Sequence, residues 1–347
     1  MAYTTIDKPS DYFNTKLYTS TNSELAISGI GFAPNWVWIK SRSDAHDHFI
    51  HDTIRGATKN LNSVNADAEA TIAQGLKSFD SDGFTLGTNG NVNESGSETY
   101  ASWNWLAGTS FSNDASSTSI GSIDSAGSAS DASGFSIVSY TGTGSAGTIK
   151  HGLSSVPKMI IAKDRDSGSL SWFVGHASLG FTKRLKLDGT NTAADNTVWN
   201  NTSPTSSVFS VGDSANANTS GNAIIAYCFA EKQGYLKTGK WTGNGNANGP
   251  FSYTGFKPAF ILIKRTDVAK NWYINDNLRL GYNINNPYIS PNLQAAETGA
   301  TEIDILSNGF KIRASGTGHN QSGGTYIYMA IAENPFVTST GIPTTAR

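Results

Sequence analysis

The chain has 347 residues, of which 15% are charged, with a net charge of −2, a pI near 6.3 and a single cysteine. There is no basic surplus to neutralise phosphates, so nucleic acid is excluded as the expected partner; one thiol makes no intrachain disulfide framework. No apolar run reaches the about 18 residues that would predict a membrane span.

Thirty-six glycines, with abundant Ser, Thr and Asn, suit short strands joined by turns. Sixteen Phe, 13 Tyr and 8 Trp supply the buried area for ordered cores.

Residues 1–11 form an N-terminal segment that lacks the apolar region of a secretory signal. From 12 to 108 a series of landmarks follows. Leu17-Tyr18-Thr19 comes first, then Gly31-Phe32-Ala33-Pro34 leading into Asn35-Trp36-Val37-Trp38-Ile39-Lys40. An aromatic strand, Phe49-Ile50-His51-Asp52, is next. Gly83-Phe84-Thr85-Leu86 follows, then Asn93 ahead of Gly96, and the aromatic-rich stretch Tyr100 to Leu106 closes the unit.

Residues 109–133 are rich in Ser, Ala, Asp and Gly, and their composition predicts a flexible connector. The landmarks then recur over 134–234: Ser139-Tyr140-Thr141, Val156-Pro157 into Met159-Ile160-Ile161-Ala162-Lys163, Trp172-Phe173-Val174, Val208-Phe209, Asn218 before Gly221, and Ile224 to Ala230. They recur again over 235–336: Lys240-Trp241-Thr242, Lys257-Pro258 into Phe260-Ile261-Leu262-Ile263-Lys264, Trp272-Tyr273-Ile274, Gly309-Phe310, Asn320 before Gly323, and Tyr326 to Ala332. A Thr-rich tail occupies 337–347. In each unit a lysine stands six residues after the proline.

Short apolar runs bounded by Pro and Lys read as strands buried on both faces. The predicted fold is therefore all-β, with three tandem antiparallel β-sandwich repeats, jelly-roll-like and of about 100 residues each. Cys228, between Tyr227 and Phe229, is expected to be a buried small residue.

Chemistry is sparse. The chain has no Walker loop, no His-Glu-x-x-His and no paired-cysteine zinc pattern, and it reads as non-enzymatic and without cofactor. Glu231 and Glu333 recur at equivalent ends of the closing strands, which argues for architecture. His46 and His48 project from one face if their segment is extended, and so are candidate metal ligands; the plain alternative is a polar loop entering the Phe49 strand. Sugars stack on rings and hydrogen-bond to amides, so Trp199-Asn200-Asn201, Tyr282-Asn283 and Tyr288 are candidate ligand-binding residues.

Asp82-Gly83-Phe84-Thr85-Leu86-Gly87, Trp103-Asn104-Trp105-Leu106-Ala107-Gly108, Gly134-Phe135-Ser136-Ile137-Val138-Ser139-Tyr140-Thr141-Gly142 and Ile225-Ala226-Tyr227-Cys228-Phe229-Ala230 carry a family resemblance. Together they resemble an uncharacterised repeat-containing family of marine phage genomes, whose members accompany tail-fibre and other virion structural proteins. That resemblance implies location in the virion, contacts with other virion proteins and a role as tail fibre or receptor-binding adhesin. The partner would be a host surface glycan or protein, and a homotrimer is one expected assembly. The alternative is a capsid decoration or head fibre with a purely structural role.

Overall fold

The computed structural model describes residues 2–279, 283, 287–299 and 302–344. It is all-β, with antiparallel sheets and helical turns of no more than four residues. Among the described residues no helix is long and apolar enough to cross a membrane.

Three main sheets share one strand order. In the first, the opening strand Phe13–Thr19 lies beside the closing strand Thr99–Trp105, then come the post-proline strand Trp36–Ser41 and the aromatic strand Phe49–Asp52. The second places Phe135–Thr141, Ala223–Ala230, Pro157–Asp164 and Phe173–His176 in that order, and the third Leu236–Thr242, Thr325–Pro335, Phe256–Arg265 and Trp272–Asp276. A smaller sheet accompanies each: Leu25–Ser28, Gly83–Leu86 and Leu76–Asp80; then Gly147–Lys150 with Val208–Val211; then Phe251–Tyr253, Gly309–Ile312 and Ile303–Leu306.

Burial on both faces follows from this layering. Successive strand residues point to opposite faces. Trp36 and Trp38 enter a core shared by all three units, while Val37 and Ile39 pack with Phe84 and Leu86 into a core of the first unit alone. Met159 and Ile161 likewise join the shared core, and Ile160 and Ala162 that of the second unit, with Cys228. At the centre Trp36 lies 4.3 Å from Trp105 and 4.5 Å from Tyr227 between ring centroids, and Trp105 is 5.6 Å from Phe260. One aromatic nucleus thus joins the three sheets.

The prolines stand where a missing N–H is tolerated. Pro157 opens its strand and Pro258 sits at a register irregularity.

Residues 109–133 are not a flexible connector. Thr109–Asn113 and Ser125–Ser130 add two strands to the edge of the second main sheet, Ser125–Ser130 pairing with Phe135–Thr141 in the register Ser125↔Tyr140 to Ser130↔Phe135. A β-ladder is held by main-chain groups, so a segment poor in apolar side chains can still form one. Small residues are in fact required here: a Cβ on Gly127 would come within 2.0 Å of the Ile137 carbonyl oxygen. Between the two strands Asp114 caps the helical turn Ala115–Thr118, and Ile123 is buried in the second core.

The repeated asparagines explain themselves. Asn218 is fully buried, donates to the Ser145 and Gly212 carbonyls at 2.7 and 2.8 Å, and accepts from the Thr143 N–H at 2.8 Å. Asn93 and Asn320 tie the corresponding loops of their units in the same way.

Candidate functional site

The seams between units decide which residues are structural and which are free to act. Strand register sets the equivalences: Phe49, Phe173 and Tyr273 lie opposite Ile39, Ala162 and Ile263 in their three sheets. The residues just before them, His48, Trp172 and Trp272, therefore occupy one position. Each sends a ring N–H to a backbone carbonyl of the neighbouring unit. Trp172 Nε1 donates to Asn62 at 2.8 Å, Trp272 Nε1 to Lys186 at 2.7 Å, and His48 Nε2 faces the Ser290 carbonyl at 3.1 Å. The three contacts run first to second, second to third and third to first. They close a ring.

This geometry removes the expected histidine pair. His48 Nδ1 accepts from Trp38 Nε1 at 2.8 Å, which leaves the proton on Nε2 for Ser290, so neither nitrogen of the ring is available to a metal. The ring is fully buried, and burial with the nearby Lys40 charge holds it neutral, well below the usual imidazole range. His46 lies elsewhere, half-exposed, with Nε2 3.1 Å from Glu98 Oε2.

Two of the lysines that follow the prolines, Lys163 and Lys264, also cross a seam. Lys163 Nζ donates to the carbonyls of Asp164 and Ser167 and to Ala66 of the first unit, at 2.7, 3.1 and 3.1 Å. Lys264 reaches Thr190 of the second unit at 3.0 Å, and Lys40 binds the carbonyls of Ser41 and Asp44. Burial lowers all three to about 8.

Two seams carry a buried charge chain that the third lacks. Asp52 pairs with Arg55 and accepts from Tyr227 Oη at 2.7 Å, and Glu69 bridges Arg55 to Arg165 at 3.3 and 2.9 Å. Asp276 pairs with Arg279 at 2.6 Å and accepts from Trp103 Nε1 at 2.9 Å, and Glu297 bridges Arg279 to Arg42 at 3.2 and 3.1 Å. At the seam between the second and third units the same positions hold His176, Leu179, Ala193 and Thr266. His176 keeps one contact, to the Tyr328 carbonyl at 3.1 Å, and the Ala193 N–H donates to the Thr266 carbonyl at 2.8 Å.

At this apolar seam an open cleft of about 470 Å³ remains. Leu179, Trp241 and Ile327 line it together with Lys183, Lys240, Thr266 and Thr325. Lys183 is paired with Asp195 at 2.9 Å, and the Thr266 and Thr325 hydroxyls bond each other at 2.7 Å. Trp241 is stacked on Tyr326 at 5.0 Å, and Trp241 Nε1 donates to the His319 carbonyl, so the floor is rigid. Beside it Arg265 pairs with Asp267 and pulls its carboxyl down to about 2.

The residues expected to bind ligand are not brought together. Trp199 is fully buried in the second core, edge-on to Phe181 at 6.2 Å, and cannot stack on a sugar. Asn200 and Asn201 are exposed, with left-handed φ of 49° at both, which suits a turn. Tyr282 lies outside the described residues. Asn283 accepts from the Ile305 N–H at 2.8 Å, and Tyr288 is half-buried, edge-on to Tyr273 at 4.9 Å.

Residues 8–335 match the family model described as a domain of unknown function, DUF7483. The chain belongs to that family. No curated protein and no solved structure matches it. For this DUF7483 chain the seam between the second and third units is the candidate site, and the signal for it was present: Asp-x-x-Arg stands at 52–55 and 276–279, and His176-Ala177-Ser178-Leu179 replaces it in the second unit. That break gains meaning only once register fixes the equivalences.

Proposed function

We propose that this chain is a virion surface protein of tail-fibre or receptor-binding type, in which one polypeptide takes the place that three chains hold in a trimeric fibre. The observation that carries the reading is the closed ring of His48, Trp172 and Trp272 contacts around one aromatic core. Such a ring satisfies in a single chain the contacts a homotrimer would make between protomers. The resemblance of its repeat phrases to marine phage proteins supports the virion assignment. The receptor-contacting surface is the cleft at the apolar seam, and its ligand is a host surface glycan bearing negative charge. The exposed Lys240, with Lys183 nearby, is the group that would pair with such a charge, above an apolar wall of Leu179, Trp241 and Ile327.

Light scattering of the purified chain should give a monomer, and the protein should slow phage adsorption to host cells. Lys240→Ala should weaken that inhibition without altering thermal stability. A stable trimer, or adsorption untouched by saturating protein, would overturn the proposal.

A capsid decoration is the second reading, and the pseudo-three-fold ring favours it too, since a three-fold lattice site would accept it. Gold-labelled antibody on intact virions separates the two: tail labelling supports the adhesin, and labelling across the head supports the decoration.

A further inference from the structure

We infer that Asp44, His46 and Glu98 form a binding site for one divalent first-row cation of the Zn²⁺ type. One ligand atom from each residue lies within 4.8 Å of the other two. Donors on one ion at bonds of about 2.0–2.2 Å fall inside that spread. His46 Nε2 is shut off from solvent and stands 3.1 Å from Glu98 Oε2, yet the two are not aligned as hydrogen-bond donor and acceptor. A cation between an imidazole and a carboxylate satisfies both groups at that separation.

The Asp44 main chain and the Glu98 carboxylate are held before any ion arrives. The Asp44 N–H donates to Ser41 Oγ at 3.1 Å, and the Asp44 carbonyl accepts from Lys40 Nζ at 3.0 Å. Glu98 accepts from Tyr100 Oη at 3.2 Å and Ser41 Oγ at 3.3 Å. Asp47, beside His46, is fixed through its N–H to Asn91 Oδ1 at 2.8 Å and through its carboxylate to Gln294 at 2.7 Å. Partners of this kind orient ligands and raise metal affinity. The field is also suitable. Lys40 faces the carboxylates of Asp44, Asp47 and Glu98, and Glu94 stands against Gly90 on the side of the His46 ring. Four carboxylates thus outweigh one ammonium.

The scaffold does not require these residues. The third unit has the same spacing between its post-proline and aromatic strands, and its corresponding positions hold Val268, Lys270 and Gly324. The chain's other histidines are committed elsewhere. His48, His151 and His176 each use both ring nitrogens in hydrogen bonds, and Nδ1 of His51 and of His319 is engaged by the Lys59 carbonyl and by Glu302. One imidazole with two carboxylates suits a borderline ion; Ca²⁺ and Mg²⁺ favour all-oxygen sets. The ion would clip the 41–48 loop to the start of the closing strand.

The test is calorimetric titration of the chelator-stripped, full-length chain with ZnCl₂. One equivalent should bind, millimolar Mg²⁺ or Ca²⁺ should not displace it, and His46→Ala should abolish it. Glu98→Gln should weaken it by about tenfold or more, and Co²⁺ in the same site should give a visible absorption band that His46→Ala removes. Circular dichroism checks that both variants stay folded. Absence of stoichiometric Zn²⁺ and Co²⁺ uptake by the unaltered protein, or uptake unchanged in folded His46→Ala, would overturn the site.

Discussion

Trp172 donates its indole N–H to the Asn62 carbonyl at 2.8 Å, across 110 residues of sequence and across the seam between the first two units. Trp272 and His48 repeat the contact at the other seams, so the three units are coupled by the same bond in the same place. Trp172→Phe keeps an aromatic ring and removes the donor. A buried carbonyl that loses its partner costs about 1–3 kcal/mol. Urea denaturation should show a lower midpoint of that size with an unchanged slope; an unchanged midpoint would mean that the contact does not hold the seam.

The buried charge chain at the seam between the third and first units should be intolerant of partial removal. Arg279 is fully buried between Asp276 and Glu297, and Arg279→Met leaves Asp276 without a cation while Glu297 keeps only Arg42. Breaking a buried pair in this way costs about 3–5 kcal/mol. Replacing the whole set with the residues the second and third units use at their seam, through Asp276→His, Arg279→Leu, Glu297→Ala and Arg42→Thr, should cost much less than the single change. Comparison of the two melting temperatures decides the matter, and a quadruple variant less stable than Arg279→Met would refute it.

These contacts explain what the sequence could and could not disclose. The asparagine before each glycine turn recurs because it ties the corresponding loop in every unit. The lysine six residues after each proline recurs because its buried ammonium binds main-chain carbonyls in every unit. The strands at Thr109–Asn113 and Ser125–Ser130 stayed hidden because main-chain pairing at a sheet edge leaves no apolar alternation to detect. Trp199 has the sequence of a sugar-binding residue because Asn200 and Asn201 follow it, yet its ring is buried in the second core. His48 read as a ligand because its equivalence to two tryptophans is a matter of register, invisible in residue type. The seam cleft was illegible for a similar reason: its walls come from four separate segments, around Leu179, Trp241, Thr266 and Tyr326.

Stability should fall on acidification in a window set by the histidines. Burial keeps His51 near 3 and His151 and His176 near 4, against an ordinary value of 6.5. Between those values the unfolded chain binds protons that the folded chain refuses, so stability is complete above pH 6.5 and declines as the pH falls toward 4. Each such histidine contributes about 1.4 kcal/mol per pH unit at most. Urea midpoints measured from pH 7.5 to 4.5 should decline steadily, before most carboxylates titrate. A flat profile over that range would show that these imidazoles are not held neutral.

The asparagine staples should be the least replaceable polar residues in each unit. Asn218 satisfies two carbonyls and one N–H from two separate segments, the 143–145 loop and Gly212, and its side chain is fully buried. Asn218→Asp is nearly isosteric but cannot donate to Ser145 and Gly212, and it places a negative charge against two carbonyl oxygens. Asn218→Ala removes the amide and leaves the three backbone groups without it. Both should destabilise by about 2–4 kcal/mol, with the aspartate regaining part of the loss at acid pH, where a protonated carboxyl can donate one bond. That pH rescue separates a hydrogen-bonding role from simple filling of space: if Asn218→Asp and Asn218→Ala lose stability in parallel from pH 7 to 4, the donated bonds are not what the residue supplies.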